Sequence, residues 1–185
     1  FRRVLFRSLV SKLGMSLKFQ ANDEQLRPMG RQTAGVQGMK FREGDELLDM
    51  DVVWGDSDKD LFVVTNEGFA KRTAISEYRL QGRNGFGVKA VQLAEGRGSL
   101  VGAVIVEEDD QIMAIMKSGK VIRSNVDEVK RTGRTTQGVT FAKPDKNDEI
   151  ISIARNEEKD DDESAENAEN ATVDATVNEG TAQCI

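Results

Sequence analysis

The sequence predicts an all-β, propeller-like fold of about three four-stranded blades, followed by a disordered acidic C-terminal tail. Three observations carry this prediction: a glycine-arginine motif that occurs three times, short aliphatic runs separated by turn residues, and a C-terminal segment with few large apolar side chains. Four strands in a unit of about 50 residues is the size of a propeller blade. We expect the repeats at roughly residues 9–53, 54–106 and 107–155.

The first eight residues fit no element of this fold. The chain begins with Phe1, and residues 1–8 contain three arginines and no acid. No apolar segment long enough for a secretory signal follows them. We therefore expect residues 1–8 to be an artefact of a fragment end, or disordered. Since propellers close with four to eight blades, we expect either further blades upstream, which the start at Phe1 favours, or assembly of this chain with others.

The repeat is defined by the motif G-R-x-x-x-G-V, which starts at Gly30, Gly82 and Gly133, at spacings of 52 and 51 residues. Upstream of each copy, a glycine is followed four residues later by a cation; these cations are Lys18, Arg72 and Arg123. Independent glycine loops would not share this frame by chance.

Within a repeat the apolar pattern is typical of strands. Over one period of the repeat the chain has four short apolar runs, 88–93, 100–106, 112–116 and 120–124, with turn residues between them. Residues 47–53, 61–65 and 150–154 are equivalent runs in the other units. One helical turn is expected at 126–130.

The C-terminal segment 156–185 differs from the rest of the chain. It holds ten acidic residues and one lysine, a net charge of −9, whereas residues 1–155 carry +3. It has no aromatic residue, so it cannot bury enough surface to offset its ordering entropy. We predict a disordered tail, which either competes with a polyanion for the basic body or only increases solubility.

The amino-acid composition argues against several classes of function. The chain has no histidine and one cysteine, Cys184, which leaves no Ser/His or Cys/His catalysis and no disulfide framework. No apolar run is long enough to span a membrane. Tyr78 is expected to be structural, and the acid pairs are expected to be turn residues. We predict no catalytic residue, no cofactor and no metal in the chain, and a cytoplasmic location.

The glycine loop at residues 82–88, GRNGFGV, could in principle hold a nucleotide phosphate. A dinucleotide-binding loop must open a helix, however, and the residues after Gly87 have the pattern of a strand. We therefore interpret Gly35, Gly87 and Gly138 as turn residues with positive φ.

The arginine of the motif is not explained by a turn. Three arginines in register predict a curved basic track on successive blades, suited to the phosphates of double-stranded DNA and indifferent to base sequence. The predicted contacts are Arg31, Arg83 and Arg134, then Lys18, Arg72 and Arg123, with Arg79, Lys89, Lys130 and Arg131 nearby. Two alternatives stay open: ion pairs with acids such as Glu77 and Glu128, and, for the second set, a position in the blade interfaces.

Three stretches of the chain, 26–41, 63–91 and 120–141, resemble the C-terminal domain of the DNA gyrase A subunit. The resemblance covers roughly residues 9–155 and implies a β-pinwheel, normally of six blades, with DNA wrapped around its basic rim. It implies a role in ATP-dependent negative supercoiling by a type II topoisomerase. It also implies that the protein is located in the bacterial cytoplasm and associated with the chromosome. The alternatives are the related domain in the A subunit of topoisomerase IV and a propeller-type protein-interaction scaffold.

The family's gyrase box, Q-R-R-G-G-K-G, is matched in degenerate form. Gln81, Arg83, Gly85 and Gly87 agree with it, whereas Gly82, Asn84 and Phe86 stand where the box has Arg, Gly and Lys. The resemblance further implies two kinds of partner in an A2B2 holoenzyme, the gyrase B subunit together with a second copy of the gyrase A subunit. ATP and Mg would bind other domains or subunits.

Overall fold

The computed structural model describes residues 5–54 and 58–156, which are built almost entirely of strands and turns. The strands are β1 (Leu5–Ser11), β2 (Met15–Gln20), β3 (Leu47–Trp54), β4 (Asp60–Thr65), β5 (Phe69–Ala74), β6 (Val88–Lys89), β7 (Leu100–Val106), β8 (Gln111–Met116), β9 (Val121–Asn125), β10 (Val139–Thr140) and β11 (Ile150–Asn156). Short 3-10 turns occupy Ile75–Glu77 and Val126–Glu128; only the second falls in a predicted turn. The all-β prediction is confirmed.

The strands pair antiparallel into sheet 1 (order β3-β1-β2-β6), sheet 2 (β10-β5-β4-β7) and sheet 3 (β11-β8-β9). Sheets 1 and 2 each take three strands from one repeat and the fourth from the next repeat, with Val88 opposite Ser16 and Val139 opposite Ala70. The predicted grouping of 88–93, 100–106, 112–116 and 120–124 in one blade is therefore wrong. The strands that follow the second and third glycine motifs each return to the edge of the preceding sheet.

A glycine allows each of these strands, β6 and β10, to pair with the sheet of the preceding repeat. Gly87 and Gly138 have φ of +74° and +80°, a region that side chains with a Cβ rarely adopt. A Cβ on Gly138 would lie 2.5 Å from the carbonyl oxygen of Ala70, and one on Gly87 would collide with that of Ser16. The second glycine of the motif thus lets the loop lie directly against the strand of the preceding repeat, as well as turn.

The core lies between the sheets. In β4, Leu61 and Val63 face the apolar cluster between sheets 1 and 2, while Phe62 and Val64 face the cluster between sheets 2 and 3. All four are buried, as expected for a strand covered on both faces. Their burial fixes the order of the sheets, with sheet 2 in the middle.

The folded region starts earlier than expected. Residues 5–8 pair with β2 and β3, and Phe6 lies opposite Gln20 and Val53 and packs against the core. The expectation that the segment up to residue 8 is disordered is therefore wrong for residues 5–8. The predicted acidic tail lies outside the described residues except for Asn156, which ends β11.

Candidate nucleic-acid interface

The motif arginines of the second and third repeats make the same contact. Nη1 of Arg83 donates to the carbonyl oxygen of Gln37 at 3.1 Å, and Nη1 of Arg134 donates to that of Lys89 at 3.2 Å. Gln37 and Lys89 are equivalent, since each is the seventh residue after the first glycine of its motif. Each arginine therefore clamps its loop to the loop of the preceding repeat, and we call this contact the arginine clamp.

The arginine clamp explains why arginine recurs in a fixed frame. Arg83 also donates from Nε to the carbonyl oxygen of Gln25 at 2.5 Å, a geometry that a planar guanidinium provides and an ammonium does not. Both clamp arginines are half-buried. A guanidinium has five N–H groups, so the clamp leaves donors for a further acceptor.

Arg31 belongs to the first repeat, which has no preceding repeat among the described residues. Its side chain is exposed and makes no hydrogen bond or ion pair within the described part of the chain. It is thus the motif arginine most open to solvent.

The second predicted set divides. Arg72 is only 5% exposed, and its guanidinium lies 3.5 Å from the carboxylate of Asp60 and 3.4 Å from that of Glu108. The prediction that Arg72 contacts DNA is therefore wrong, because burial against carboxylates removes it from the surface. Lys18 is half-buried and donates to the carbonyl oxygen of Ile75 at 2.9 Å, so it too serves the junction between repeats. Arg123 is exposed and donates to Gln111 at 2.5 Å.

The remaining predicted cations are on the surface. Arg79, Lys89 and Lys130 are exposed, and Lys89 donates to the side chain of Gln92 at 2.7 Å. Arg131 is exposed but held by two carboxylates, Asp60 at 2.9 Å and Asp58 at 3.2 Å. Burial raises the pKa of Asp60, and the neighbouring Arg131 and Arg72 oppose that rise. The alternative of ion pairing therefore applies to Arg131.

The four residues of the degenerate box all contact the first repeat. The Gln81 amide donates to the carbonyl oxygen of Lys18, Arg83 forms the arginine clamp, and Gly87 lies against Ser16. The carbonyl oxygen of Gly85 accepts from the amide of Lys40 at 2.8 Å. In the folded chain, these four residues therefore connect the second repeat to the first.

Two cations near the loops were missed by the sequence. Lys40 is exposed and lies beside the second motif through the bond to Gly85. Arg97 stacks on the ring of Phe69 at 4.3 Å and donates to the carbonyl oxygens of Gln137 and Gly138, each at 3.2 Å. Neither belongs to the three-fold frame, so only the fold brings them to the motifs.

A buried lysine between the second and third repeats was also missed. Lys71 is 1% exposed, and its Nζ donates to the carbonyl oxygens of Ala90 and Arg134. Burial lowers its pKa to about 8. The other repeats have Leu17 and Ile122 at this position. A lysine that replaces an apolar residue in one of three aligned repeats is the sequence feature that could have revealed it.

Three further observations concern other kinds of site. No group of three or more histidine, cysteine, aspartate or glutamate side chains is arranged to hold a metal ion in residues 5–54 and 58–156. Tyr78 is buried at 2% exposure, consistent with the structural role predicted for it, and burial raises its pKa. A search of the described chain found no helix with the length and apolar character to cross a membrane.

Fold and loop geometry together define a β-propeller segment. In it, a repeat contributes an edge strand to the preceding sheet and an arginine clamp to the preceding loop. The family described as DNA gyrase C-terminal domain, beta-propeller, matches residues 9–53, 59–107 and 110–157, and the chain belongs to this family. The resemblance found in the sequence is confirmed.

Curated relatives agree with this assignment. The DNA gyrase A subunit of Streptomyces coelicolor is 54% identical over 150 residues, which are 81% of this chain and 17% of that protein. The DNA gyrase A subunit of Mycolicibacterium smegmatis is 48% identical over 166 residues, 90% of this chain and 19% of that protein. The chain thus spans less than a fifth of the length of these relatives.

Two solved structures share the fold. A DNA gyrase A C-terminal domain matches with a TM-score of 0.72 and 29% identity, over 84% of this chain and 51% of that chain. A C-terminal domain of DNA topoisomerase IV matches with a TM-score of 0.75 and 23% identity, over 92% of this chain and 51% of that chain. The second likeness concerns the fold alone, and the sequence relatives favour gyrase over topoisomerase IV.

Proposed function

We propose that this chain binds duplex DNA without base specificity, along the rim formed by its successive glycine-arginine loops. One observation carries the proposal: the arginine clamp holds each loop against the loop before it, Arg134 on Lys89 and Arg83 on Gln37. Cations carried by these loops therefore follow one another along a continuous line. A polyanion with regularly spaced phosphates fits such a line.

The contacts we assign to DNA are the exposed cations of the loops. These are Arg31, Arg79, Lys89 and Lys130, with Lys40 beside them. Arg83 and Arg134 act in two ways, since they position the loops and keep further N–H groups for phosphate. Arg123 is exposed on β9 and is a secondary contact.

In the parent protein, this binding would wrap DNA for negative supercoiling by an ATP-dependent type II topoisomerase. The curated relatives are A subunits of DNA gyrase, which supports that role. The holoenzyme would contain two A subunits and two B subunits in the bacterial cytoplasm. ATP and Mg would bind outside this chain, which supplies DNA binding and no catalytic group.

The proposal is tested by titrating the 185-residue chain into labelled duplex DNA over a salt series. We expect log Kd to vary linearly with log salt concentration, with a slope set by the number of phosphates neutralised. The triple variant Arg31→Ala, Lys89→Ala, Lys130→Ala should weaken binding at least about tenfold at low salt and flatten the slope.

A matched control removes the same charge elsewhere. Lys12, Lys59 and Lys117 are each paired with a glutamate, namely Glu46, Glu107 and Glu149. Changing these three lysines to alanine should alter affinity far less than the loop variant does. Equal losses for both triple variants would show that binding follows net charge, and would contradict a rim built from the loops.

A further inference from the structure

The second motif loop carries an aromatic side chain on its surface. Phe86 is 47% exposed, although the described residues include the repeat before its own and the repeat after it. The equivalent residues of the other motifs are Ala34 and Gln137. Scattered apolar side chains are common on protein surfaces, so exposure alone assigns no role to this ring. Its surroundings do.

The backbone on both sides of the ring is fixed against β2. A Cβ on Gly85 would lie 3.2 Å from Cδ1 of Leu17, and one on Gly87 would collide with the carbonyl oxygen of Ser16. The ring is therefore held on a loop that has little freedom to move. Because both of its neighbours in the chain are glycines, no adjacent side chain shields it, and a large partner can approach it closely.

A lysine stands beside the ring. Met39 and Gly85 form a parallel bridge, and the amide of Lys40 donates to the carbonyl oxygen of Gly85 at 2.8 Å. The next residues on the two segments, Lys40 and Phe86, are therefore side by side in register. Met39 is 3% exposed, whereas Lys40 and Phe86 are both exposed, so this pair lies on the outer surface of the loops.

The junction between the second and third motifs has the same backbone contact with other side chains. The amide of Gln92 donates to the carbonyl oxygen of Thr136 at 3.0 Å, the equivalent of the bond from Lys40 to Gly85. The side-by-side pair is here Gln92 and Gln137, and both are exposed. Since two glutamines serve this backbone equally well, the fold does not require a ring and a cation at the first junction.

We propose that Phe86 is an apolar contact to duplex DNA, with its ring entering the minor groove at a base step while Lys40 binds a nearby phosphate. This inference rests on the DNA binding proposed above. A phenyl ring has no N–H or O–H group to offer a phosphate, so its partner on DNA is the apolar surface of sugars and bases. Apolar side chains that enter the minor groove partly unstack one base step and bend the duplex.

Such a contact adds a preference that a line of cations does not have. Pyrimidine–purine steps unstack easily, whereas A-tracts are stiff. At the junction of the first two motifs the rim therefore senses how easily the duplex deforms, without a hydrogen bond to any base. Binding remains unspecific for base identity in the sense proposed above.

Two duplexes of equal length and equal A·T content test the inference, one with alternating thymine and adenine and one with all adenines on one strand. The 185-residue chain should bind the alternating duplex more tightly. Phe86→Ala should weaken binding to that duplex about tenfold and reduce the preference between the two at least about threefold. The salt slope should stay unchanged, because no charge is lost. Lys40→Ala should instead lower the slope by about one.

Three further variants separate the contact from general effects. Phe86→Gln copies the residue of the next junction and should behave as Phe86→Ala does, while Phe86→Leu keeps an apolar side chain and should retain most of the affinity. Trp54 is a 54% exposed aromatic residue at the end of β3, outside the motif loops, and Trp54→Ala should change neither affinity nor preference. Equal losses for Phe86→Ala and Trp54→Ala would overturn the inference.

Unstacking itself can be observed with 2-aminopurine in place of adenine in the alternating duplex, since its fluorescence rises when it leaves the stack. At saturating protein, the wild type and Phe86→Leu should raise this fluorescence more than Phe86→Ala and Phe86→Gln do. Equal fluorescence for all four proteins, with equal preference between the duplexes, would overturn the inference and leave salt-dependent DNA binding in place. A wild type that does not bind either duplex would overturn the proposed function as well.

Discussion

Nζ of Lys71 donates to the carbonyl oxygen of Ala90 at 2.6 Å, which places a buried ammonium beside the strand that follows the second motif. A second bond reaches the carbonyl oxygen of Arg134, in the motif that carries the arginine clamp. The equivalent residues, Leu17 and Ile122, are apolar. The contact between the second repeat and the third motif is therefore made by an ammonium whose charged form is disfavoured by burial, which lowers the pKa of Lys71 to about 8.

The pH dependence of stability should reveal this lysine. Between pH 8 and 10.5 the unfolded chain keeps the Lys71 proton and the folded chain releases it, so the free energy of unfolding rises with pH through that window. Across this window, the free energy of unfolding of the wild type should rise by up to about 3 kcal/mol relative to that of Lys71→Met, since each unit of pKa shift corresponds to about 1.4 kcal/mol. Urea unfolding at about pH 7, 8, 9 and 10 measures it. A difference between the two proteins that stays constant with pH would contradict the lowered pKa.

Replacing Gly87 by alanine should open the exchange between the first two repeats. Positive φ alone costs about 1–2 kcal/mol for a residue with a Cβ. The collision with the carbonyl oxygen of Ser16 should raise the total loss above about 3 kcal/mol, because β6 must then leave the edge of sheet 1. Thermal or urea unfolding measures the loss. Gly96→Ala, at φ +78° in open space, is the matched variant and should lose only the first amount.

The arginine clamp predicts that Arg83→Lys is not a conservative change. Lysine keeps the charge, but its single nitrogen cannot serve the carbonyl oxygens of Gln25 and Gln37 with the fixed fork of a guanidinium. We expect the free energy of unfolding to fall by about 1–3 kcal/mol, while the salt slope of DNA binding is retained. Unchanged stability together with weakened DNA binding would instead assign Arg83 to phosphate alone.

The buried pair of Asp60 and Arg72 should be sensitive to loss of either charge. Asp60→Asn leaves Arg72, 5% exposed, without its buried carboxylate, and such a loss costs about 3–5 kcal/mol. The exposed pair of Lys59 and Glu107 provides the comparison, and Glu107→Gln should change stability by no more than about 1 kcal/mol. Similar effects of the two variants in urea unfolding would show that the Asp60 site is effectively solvated.

Much of the architecture could be predicted because the repeat frame and the alternation of apolar residues are local properties of the sequence. The strand exchange could not, because β6 and β10 have two residues each, too few for a periodic signal, and neighbouring strands in a chain usually pair. The motif arginines were found, but recurrence has the same appearance whether an arginine serves the next repeat or a ligand. The bonds from Arg83 to Gln37 and from Arg134 to Lys89 show the first of these roles, and they are visible only in the folded chain. Arg72 was misplaced because its acidic partner, Asp60, lies on the adjacent strand.

The exchanged strands also set an order of events during synthesis. Sheet 1 waits for Val88 to reach Ser16, so more than 70 further residues must leave the ribosome before its edge is covered. Until then each newly made repeat shows an open strand edge, a surface prone to misassociation. In each of the first two sheets, this edge is therefore covered only after the next repeat has been synthesised.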